Sequence, residues 1–400
     1  MLNGKKILLG VSASIAAYKA AFLIRLFVKE GAEVKVILTE SAKDFVTPLT
    51  LATLSKNPVL SEFIDNQNEG TWTNHVDLGL WADYMIIAPA TANTLAKMAS
   101  GVCDNLLMAA YLSAKCPVFV APAMDLDMYK HGTTKSSLDN ISGFGNQIIP
   151  SGTGELASGL EGEGRMAEPE EIISFIENYI LDRSPLKGKK ILINAGPTYE
   201  KIDDVRFIGN FSSGKMGVEI AKVAKRLGAE VQLILGPTNI TSGFNGINVH
   251  DVTSAQDMYD ACVQLSDKSD IAILSAAVAD YTPASKAKGK LKKTENSMQI
   301  KLTKTKDILY ALGHSKRANQ VVVGFALETE NEENYALGKL DKKKADLIVL
   351  NSLRNEGAGF GHDTNQISIF SKKGKIVESE LLSKTEIAQL IWDTIIKLYV

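Results

Sequence analysis

Two patterns alternate along the chain. Short, nearly continuous apolar runs recur at residues 6–9, 34–38, 84–88, 118–121, 191–194, 231–235, 271–275, 321–325 and 347–350. Runs of this length without polar alternation predict strands buried on both faces of a parallel sheet. Between them, apolar positions return every three or four residues, as over 16–29, 170–179 and 218–227, and predict helices. Strands alternating with helices predict an α/β fold of doubly wound, largely parallel sheets, flavodoxin- or Rossmann-like. The pattern also repeats. Gly4-Lys5-Lys6-Ile7-Leu8 returns as Gly188-Lys189-Lys190-Ile191-Leu192, and Gly31-Ala32-Glu33-Val34 as Gly228-Ala229-Glu230-Val231. Each half therefore opens as strand, loop, helix, glycine stop, strand. The join falls in the polar stretch 182–187, giving domains 1–184 and 185–400.

Composition narrows the function. The 44 Lys plus Arg against 46 Asp plus Glu leave a net charge of -2, so there is no global basic surface for nucleic acid. At 45% hydrophobic and 22% charged residues the chain has the material for closed cores and is not a disordered one. Cys103, Cys116 and Cys262 are scattered and lack CxxC spacing. That excludes a disulfide framework and a cysteine-built zinc site, fits a reducing cytoplasm, and leaves all three as small buried hydrophobes. Lys5-Lys6 before an apolar run imitates a signal peptide, but no cleavage signature follows and the pattern continues through Lys19 and Arg25 as an amphipathic helix. No uncharged apolar stretch reaches the ~18–20 residues of a membrane span. The expectation is a cytoplasmic globular protein with no membrane partner.

In open parallel sheets ligands sit beyond the carboxyl ends of the strands, where helix N-termini offer unpaired N–H groups. The loops after each run are therefore the candidate sites. After the first run comes Gly10-Val11-Ser12-Ala13-Ser14, rich in small and hydroxyl residues but without the glycines of a dinucleotide fingerprint. Ser12 and Ser14 suit one phosphate, and serve equally as helix caps. After the run at 84–88 stands Pro89-Ala90-Thr91-Ala92-Asn93-Thr94, whose Asn and Thr can bond the edge of a heterocycle while the alanines let its plane approach. A third loop, Pro122-Ala123-Met124-Asp125-Leu126-Asp127-Met128-Tyr129, sets methionines and a tyrosine beside two carboxylates. Each alone also reads as an ordinary loop.

Together they resemble the flavin-dependent cysteine decarboxylases. Residues 89–94 are similar to that family's PASANT motif, residues 122–129 to its PxMNxxMW motif, and His75 stands where the family carries its catalytic histidine. Over residues 1–180 the resemblance implies bound FMN and oxidative decarboxylation of a cysteinyl C-terminus. It implies FMN contacts from Ser12, Ser14, Thr39, Ala90, Thr91 and Asn93, and substrate contacts from Asp125, Met128 and Arg165. Loss of CO2 from a cysteine carboxylate leaves a carbanion with nowhere to delocalise. Prior oxidation of CH2–SH to a thioaldehyde creates the electron sink, with His75 as the base. Two positions depart from the family pattern. Asp125 stands in place of an asparagine, and an ionised carboxylate repels the substrate carboxylate unless it is protonated, turned away or offset by a cation. Ser158 stands in place of a catalytic cysteine in the stretch 154–166. A hydroxyl is a far weaker proton donor than a thiol of pKa ~8.5. The rest of that stretch, including Arg165, is intact, so turnover is expected to survive.

The second half carries a long loop over 195–217. Its Ser212-Ser213-Gly214-Lys215 lacks the glycine spacing of a P-loop, whereas Asn210, Ser212 and Ser213 offer neutral donors at a helix start, suited to a carboxylate or phosphate. Beyond the run at 271–275 come Ala276-Ala277-Val278-Ala279-Asp280-Tyr281 and then eight lysines and one glutamate between 282 and 306. Such a tract is either a solvated surface or a basic loop able to close over a nucleoside triphosphate. Lys339 and Lys343 lie one helical turn apart and can face one anion.

Residues 188–400 resemble the phosphopantothenate–cysteine ligases through 195–198, 210–217, 276–281, the KxKK-like stretch from Lys290 to Lys293, Gly324-Phe325, Asn351 and Gly359-Phe360-Gly361. The tandem order resembles the bifunctional coenzyme A biosynthesis proteins of bacteria. The resemblance implies that CTP, with Mg2+, activates 4′-phosphopantothenate as an acyl-cytidylate that the amine of cysteine attacks, the product then being decarboxylated to 4′-phosphopantetheine. It implies Asn210 on the activated acyl group and Lys290 on the triphosphate. The CTP pocket would comprise Ser275, Ala276, Ala277, Asp280, Thr305, Lys306, Asp307, Ile308, Phe325, Lys339 and Lys343. It further implies a homo-oligomer, with trimeric flavoprotein units and dimeric ligase units. The alternative is a ligase alone, behind a flavin-binding first half that lacks full turnover. A nicotinamide reductase is disfavoured because no GxGxxG follows any run.

Overall fold

The computed structural model describes residues 1–66, 71–287, 289–291, 298–328, 332–352 and 362–400. The chain forms two compact units, Met1–Ile180 and Leu181–Val400. All nine predicted runs are strands, and both main sheets are largely parallel.

In the first unit the strand order is Val59–Leu60, Glu33–Leu38, Lys6–Val11, Tyr84–Ala90, Val118–Pro122 and Gln147–Ile148, every pairing parallel. Successive side chains of a strand point to opposite faces. Ile7, Leu9 and Val11 accordingly enter one core with Val34, Val36 and Ile86, while Leu8 enters the other with Ile37, Met85 and Ile87. Both faces are covered, which is why these strands read as unbroken apolar runs. The helix expected from residue 16 divides into a 3-10 turn, Ile15–Tyr18, and the α-helix Lys19–Lys29.

The second unit repeats the scheme on eight strands. Their order is Ile247–Asp251, Glu230–Leu235, Lys190–Ala195, Ile271–Leu274, Val321–Glu328, Leu347–Ser352, Ile367–Ser371 and Gly374–Glu378. The last two pair antiparallel. Ile191, Ile193, Val231 and Leu233 fill one core, Leu192, Ile234 and Ala272 the other. Phe325, expected to end its strand, lies inside one that continues to Glu328. The C-terminal helix Lys384–Tyr399 starts at a Ser383–Glu386 capping box and seats Trp392, whose indole N–H donates to the Ile220 carbonyl at 2.9 Å.

Strand order reverses once in each sheet. The switch point lies between Lys6–Val11 and Tyr84–Ala90 in the first unit, and between Lys190–Ala195 and Ile271–Leu274 in the second. Crevices at such points are where open α/β sheets bind ligands. Among the described residues no helix is long and apolar enough to cross a membrane.

Candidate active sites at the two switch points

Ser12 sits at the first switch point. Its buried hydroxyl donates to the Pro89 carbonyl at 2.8 Å and accepts from the Thr91 N–H at 3.1 Å, bracing the two central strand ends against each other. Ser14 caps the 3-10 turn by accepting from the Ala16 N–H, and Thr91 caps the helix Ala92–Ser100. Thr39 precedes the turn Glu40–Asp44, Ala90 is buried, and Asn93 is exposed on the first helical turn. The six residues assigned to FMN therefore occupy the carboxyl ends of three adjacent strands.

Next to them lies a cavity of about 450 Å³ whose lining includes Ser14, Lys19, Met124, Asp125, Glu155 and Arg165. Asp125 caps the short helix Leu126–Lys130, its Oδ1 accepting from the Leu126 N–H at 2.6 Å. Arg165 ends a hairpin formed by Gly152–Glu155 and Glu161–Arg165. That hairpin packs tightly on the Asp125 segment. Gly164 has φ +139°, its carbonyl accepts from the Met124 N–H at 3.0 Å, and a Cβ there would stand 2.5 Å from the Met124 oxygen. Lys19, only 3% exposed, donates to the Met166 carbonyl at 2.8 Å and to Glu168 at 2.9 Å, while Arg165 reaches the same Glu168 oxygen at 3.1 Å. The hydrogen bond from Lys19 holds the Glu168 carboxyl below its ordinary value, against the opposing effect of partial burial. Lys19, Arg165 and Asp125 thus line one cavity, with both cations engaged by Glu168.

His75, Met128 and Ser158 do not line this cavity. His75 opens the helix His75–Trp81 with Asn74 as its cap, and the rings of Phe63 and Trp72 meet it edge-on at 6.2 and 5.9 Å. Its Nδ1 is buried with no hydrogen-bond partner. Met128 is exposed, as is Ser158 at the hairpin tip, where its hydroxyl accepts from the Leu160 N–H at 3.4 Å. Of the cysteines, Cys262 is buried, and burial pushes its thiol up to about 12. Cys116 is half-buried, and Cys103 is exposed, contrary to expectation: it follows the glycine-ended helix Ala92–Ser100 in a surface turn.

The second switch point opens into a cavity of about 560 Å³. Nine of the residues assigned to CTP line it: Ala276, Asp280, Thr305, Lys306, Asp307, Ile308, Phe325, Lys339 and Lys343. The strand end explains the assembly. Asn194, 2% exposed, accepts from the Ala276 N–H through Oδ1, and Thr198 accepts from the Ala279 N–H. Thr305 donates its hydroxyl to the Ala279 carbonyl and its N–H to that of Asp280, so the 304–307 segment straps the 276–280 loop. Lys339 donates to the Phe325 carbonyl, Lys343 pairs with Asp307, and Lys306 stands 4.7 Å from the Tyr259 ring centre. Partial burial pulls the Asp307 carboxyl upward, but Lys343, the Tyr310 N–H and Lys339 outweigh it and hold that carboxyl below its ordinary value.

Three glycines set the neighbouring loop. Gly196 and Gly214 have φ +87° and +77°, and a Cβ on Gly236 would fall 1.9 Å from the Pro197 carbonyl oxygen. Their close approach brings the start of the helix Lys215–Arg226, which has no side-chain cap, to a small second cavity with Ser212, Ser213, Ser275, Asn351 and Lys384 on its walls. Phe325 borders both cavities. Asn210 donates to the Ala277 carbonyl at 2.8 Å. Lys290 lines neither cavity; Lys292, Lys293 and the 359–361 motif lie outside the described residues. Asn194, Lys19 and Lys384 were missed by sequence reasoning. Asn194 alone left a signal, a carboxamide ending the apolar run Ile191-Leu192-Ile193.

Fold and cavities define a tandem α/β enzyme with one ligand site at each sheet reversal. Residues 1–181 match the family model Flavoprotein, and residues 186–399 match that of the DNA/pantothenate metabolism flavoprotein C-terminal domain. The chain belongs to the family that joins these two, the bifunctional coenzyme A biosynthesis proteins. It is 44% identical to "Coenzyme A biosynthesis bifunctional protein CoaBC" of Bacillus subtilis, over 97% of this chain and 96% of that one. It is 42% identical to the protein of the same name in Haemophilus influenzae, over 100% and 98%. It is 54% identical to a "Cysteine/Cysteine sulfinic acid decarboxylase" of an unknown prokaryotic organism, over 86% and 96%. The chain is a bifunctional enzyme of coenzyme A biosynthesis, a flavoprotein decarboxylase unit followed by a ligase unit; the ligase-only alternative is not favoured.

Proposed function

We propose that the second unit couples 4′-phosphopantothenate to cysteine at the expense of CTP, and that the first unit decarboxylates the product to 4′-phosphopantetheine with FMN as its flavin. The observation that carries the ligase half is the cavity of about 560 Å³ in the second unit. Its volume suits a nucleotide, and it gathers Lys306, Lys339 and Lys343 at a sheet reversal. A carboxylate is a poor acyl donor until its oxygen belongs to a phosphate leaving group. The lysines offset the charge that develops on transfer, and Asn210 offers its carboxamide to the activated acyl group. Among the described residues no three His, Cys, Asp or Glu side chains gather as a metal site, so Mg2+ would ride on the triphosphate and water, with Asp280 on the cavity wall as a nearby carboxylate.

In the first unit the orphaned Nδ1 of His75 and the small residues over Ala88 to Ala92 fit a flavin and its reaction. Ser14, Thr39 and the helix start at Ala92 would hold its single phosphate, and Thr91 and Asn93 its ring edge. Once bound, the flavin supplies a reversible two-electron acceptor. His75 takes the proton released from the substrate, and Arg165 holds the substrate carboxylate until CO2 leaves. The subunit arrangement follows the family expectation of trimeric and dimeric units, and the compartment that of the cytoplasm.

Asp125 favours a second substrate for the same cavity. Its carboxylate suits the α-ammonium of free cysteine, with Arg165 for the carboxylate, whereas an acylated cysteine presents only a neutral amide. The 54% identical relative bears a name of that kind. The test is to supply purified yellow protein with CTP, 4′-phosphopantothenate and cysteine together and singly. Sustained pyrophosphate release only with all three, followed by CO2 release, is the expected outcome; without cysteine no more than one equivalent per ligase unit is expected, because pyrophosphate leaves as the acyl-cytidylate forms. Continuous pyrophosphate release with any one omitted, or no CO2, overturns the respective half. CO2 from cysteine alone supports the second reading.

A further inference from the structure

We propose that Asp203 is a positioning residue of the ligase unit, acting through Lys290: with Asp204 and Arg206 it fastens the backbone on both sides of that lysine. The proposal rests on the reading of Lys290 as the group that meets the triphosphate.

Asp203 lies in the turn between the paired strands Tyr199–Lys201 and Phe207–Gly209, and its side chain is fully buried. An aspartate that only shapes a turn needs one oxygen. Here Oδ1 does that work, accepting from the N–H groups of Val205 and Arg206 at 2.8 and 2.7 Å. Oδ2 is directed elsewhere. It accepts from Nε and Nη2 of Arg206 at 3.0 and 2.7 Å, and from the N–H of Leu291, a residue 88 positions away, at 3.1 Å. The same Arg206 Nη2 donates to the Leu291 carbonyl at 2.7 Å. Leu291 therefore has both its backbone groups held by one ion pair, whose carboxylate is buried and whose guanidinium is partly exposed.

The other side of Lys290 is held by the same turn. The Gly289 N–H donates to Asp204 Oδ2 at 3.0 Å, and the Ala287 N–H to the Ile202 carbonyl at 3.1 Å. Gly289 has φ +77°, a conformation that lets the chain reverse between these anchors and Lys290. Residues 289–291 belong to no helix or strand, so their backbone is placed by these bonds rather than by a ladder. A carboxylate buried this completely is tolerated only when its lone pairs are filled. Removing it leaves the Arg206 guanidinium without its carboxylate and the Leu291 N–H without its acceptor.

The experiment is a double-mutant cycle in the full-length protein. Asp203→Asn keeps an acceptor for the turn but sets an amide N–H2 against the donors of Arg206 and Leu291. It should cut CTP-dependent pyrophosphate release by up to about 100-fold, the scale on which a displacement of ~1 Å acts on catalysis. On a Lys290→Ala background it should add nothing, because both changes remove one function. CO2 release by the first unit should stay at the parental rate, and the thermal unfolding of the second unit should match the parent's, showing that both units are folded. Asp204→Ala, which loses only the Gly289 contact, should give a smaller loss that also vanishes on Lys290→Ala, and it serves as the probe if Asp203→Asn does not fold. Equal losses with and without Lys290, or no loss, overturn the proposal. An unaltered rate in Lys290→Ala alone instead overturns the underlying reading of that lysine.

Discussion

The ammonium of Lys19, almost wholly buried, lies 2.9 Å from Oε1 of Glu168, while Glu168 itself is about half exposed and also meets Arg165. The pair is asymmetric, and the asymmetry decides how it fails. Glu168→Ala leaves a buried ammonium with only the Met166 carbonyl, whereas Lys19→Met removes the charge and fills the space with apolar volume. A buried charge stripped of its partner costs about 3–5 kcal/mol, and the water available to Glu168 brings that to roughly 2–3 kcal/mol here. Lys19→Met should cost under about 1.5 kcal/mol. Urea unfolding of the two variants checks the order, and a larger loss for Lys19→Met would contradict it.

Asp125 and Ser158 give a prediction on specificity. If Asp125 reads an α-ammonium, Asp125→Asn should slow CO2 release from free cysteine by about tenfold or more, the effect of losing one charge-assisted contact worth ~1.5–3 kcal/mol. The same change should speed release from an acylated cysteine, whose amide prefers a neutral partner. Ser158 is exposed at the hairpin tip, so Ser158→Cys should alter the final protonation without changing the KM of either substrate. Competition between the two substrates, followed by labelled CO2, reads both effects.

Lys343 and Asp307 line the larger cavity of the second unit as an ion pair, on the walls of the proposed nucleotide site. Lys343→Met should raise the KM for CTP about tenfold, corresponding to ~1.4 kcal/mol, with a smaller change in kcat. Flavin absorbance and CO2 release should be unaffected. Steady-state pyrophosphate assays decide it; an unchanged KM would remove Lys343 from the nucleotide site.

The two sheets were legible because their strands are buried on both faces and therefore apolar throughout, as Ile7 to Leu9 and Ile191 to Ile193 illustrate. The edge strands Ile247–Asp251 and Gly374–Glu378 were not, because they are partly exposed and mix polar and apolar residues, nor was Ile367–Ser371, a paired strand whose partly exposed Ser368 and Ser371 interrupt its apolar run. Residue type and likeness pointed to loops, and nine of the residues assigned to CTP line one cavity, whereas His75, Met128 and Ser158 lie outside the cavity of the first unit. What sequence could not give was the set of polar groups that the fold buries. Lys19 looks like any charged residue of an amphipathic helix, and Asp203 like any loop aspartate, until packing closes over them.

Asn194 is a case where such a buried group is needed for the cavity itself. Its carboxamide is the acceptor for the Ala276 N–H and also approaches the thiol of Cys262 at 3.8 Å. Asn194→Leu would leave the Ala276 N–H without its acceptor at the mouth of the cavity, at about 1–3 kcal/mol. The second unit should melt earlier, and CTP binding should weaken along with it. A variant with normal stability and normal CTP affinity would show that water replaces the carboxamide.

Acid titration tests the Asp307 pair. Its carboxyl is held below the ordinary value, so its folded pKa lies below its unfolded one and the folded state binds fewer protons through that range. The stabilisation it contributes is present above the ordinary carboxylate pKa of ~3.9 and is lost as pH falls through the depressed folded value. Asp307 also caps the helix Ile308–Ser315, accepting from the Tyr310 N–H at 2.8 Å. Asp307→Asn retains a capping oxygen and removes only the charge. With the carboxylate about half exposed, the difference between parent and variant should not exceed about 1 kcal/mol at pH 7. It should hold steady to about pH 5 and then shrink toward zero in more acidic solution. Urea unfolding of both proteins at each pH measures it, and a difference that grew on acidification would mean that Asp307 is destabilised by its charge rather than held by Lys343.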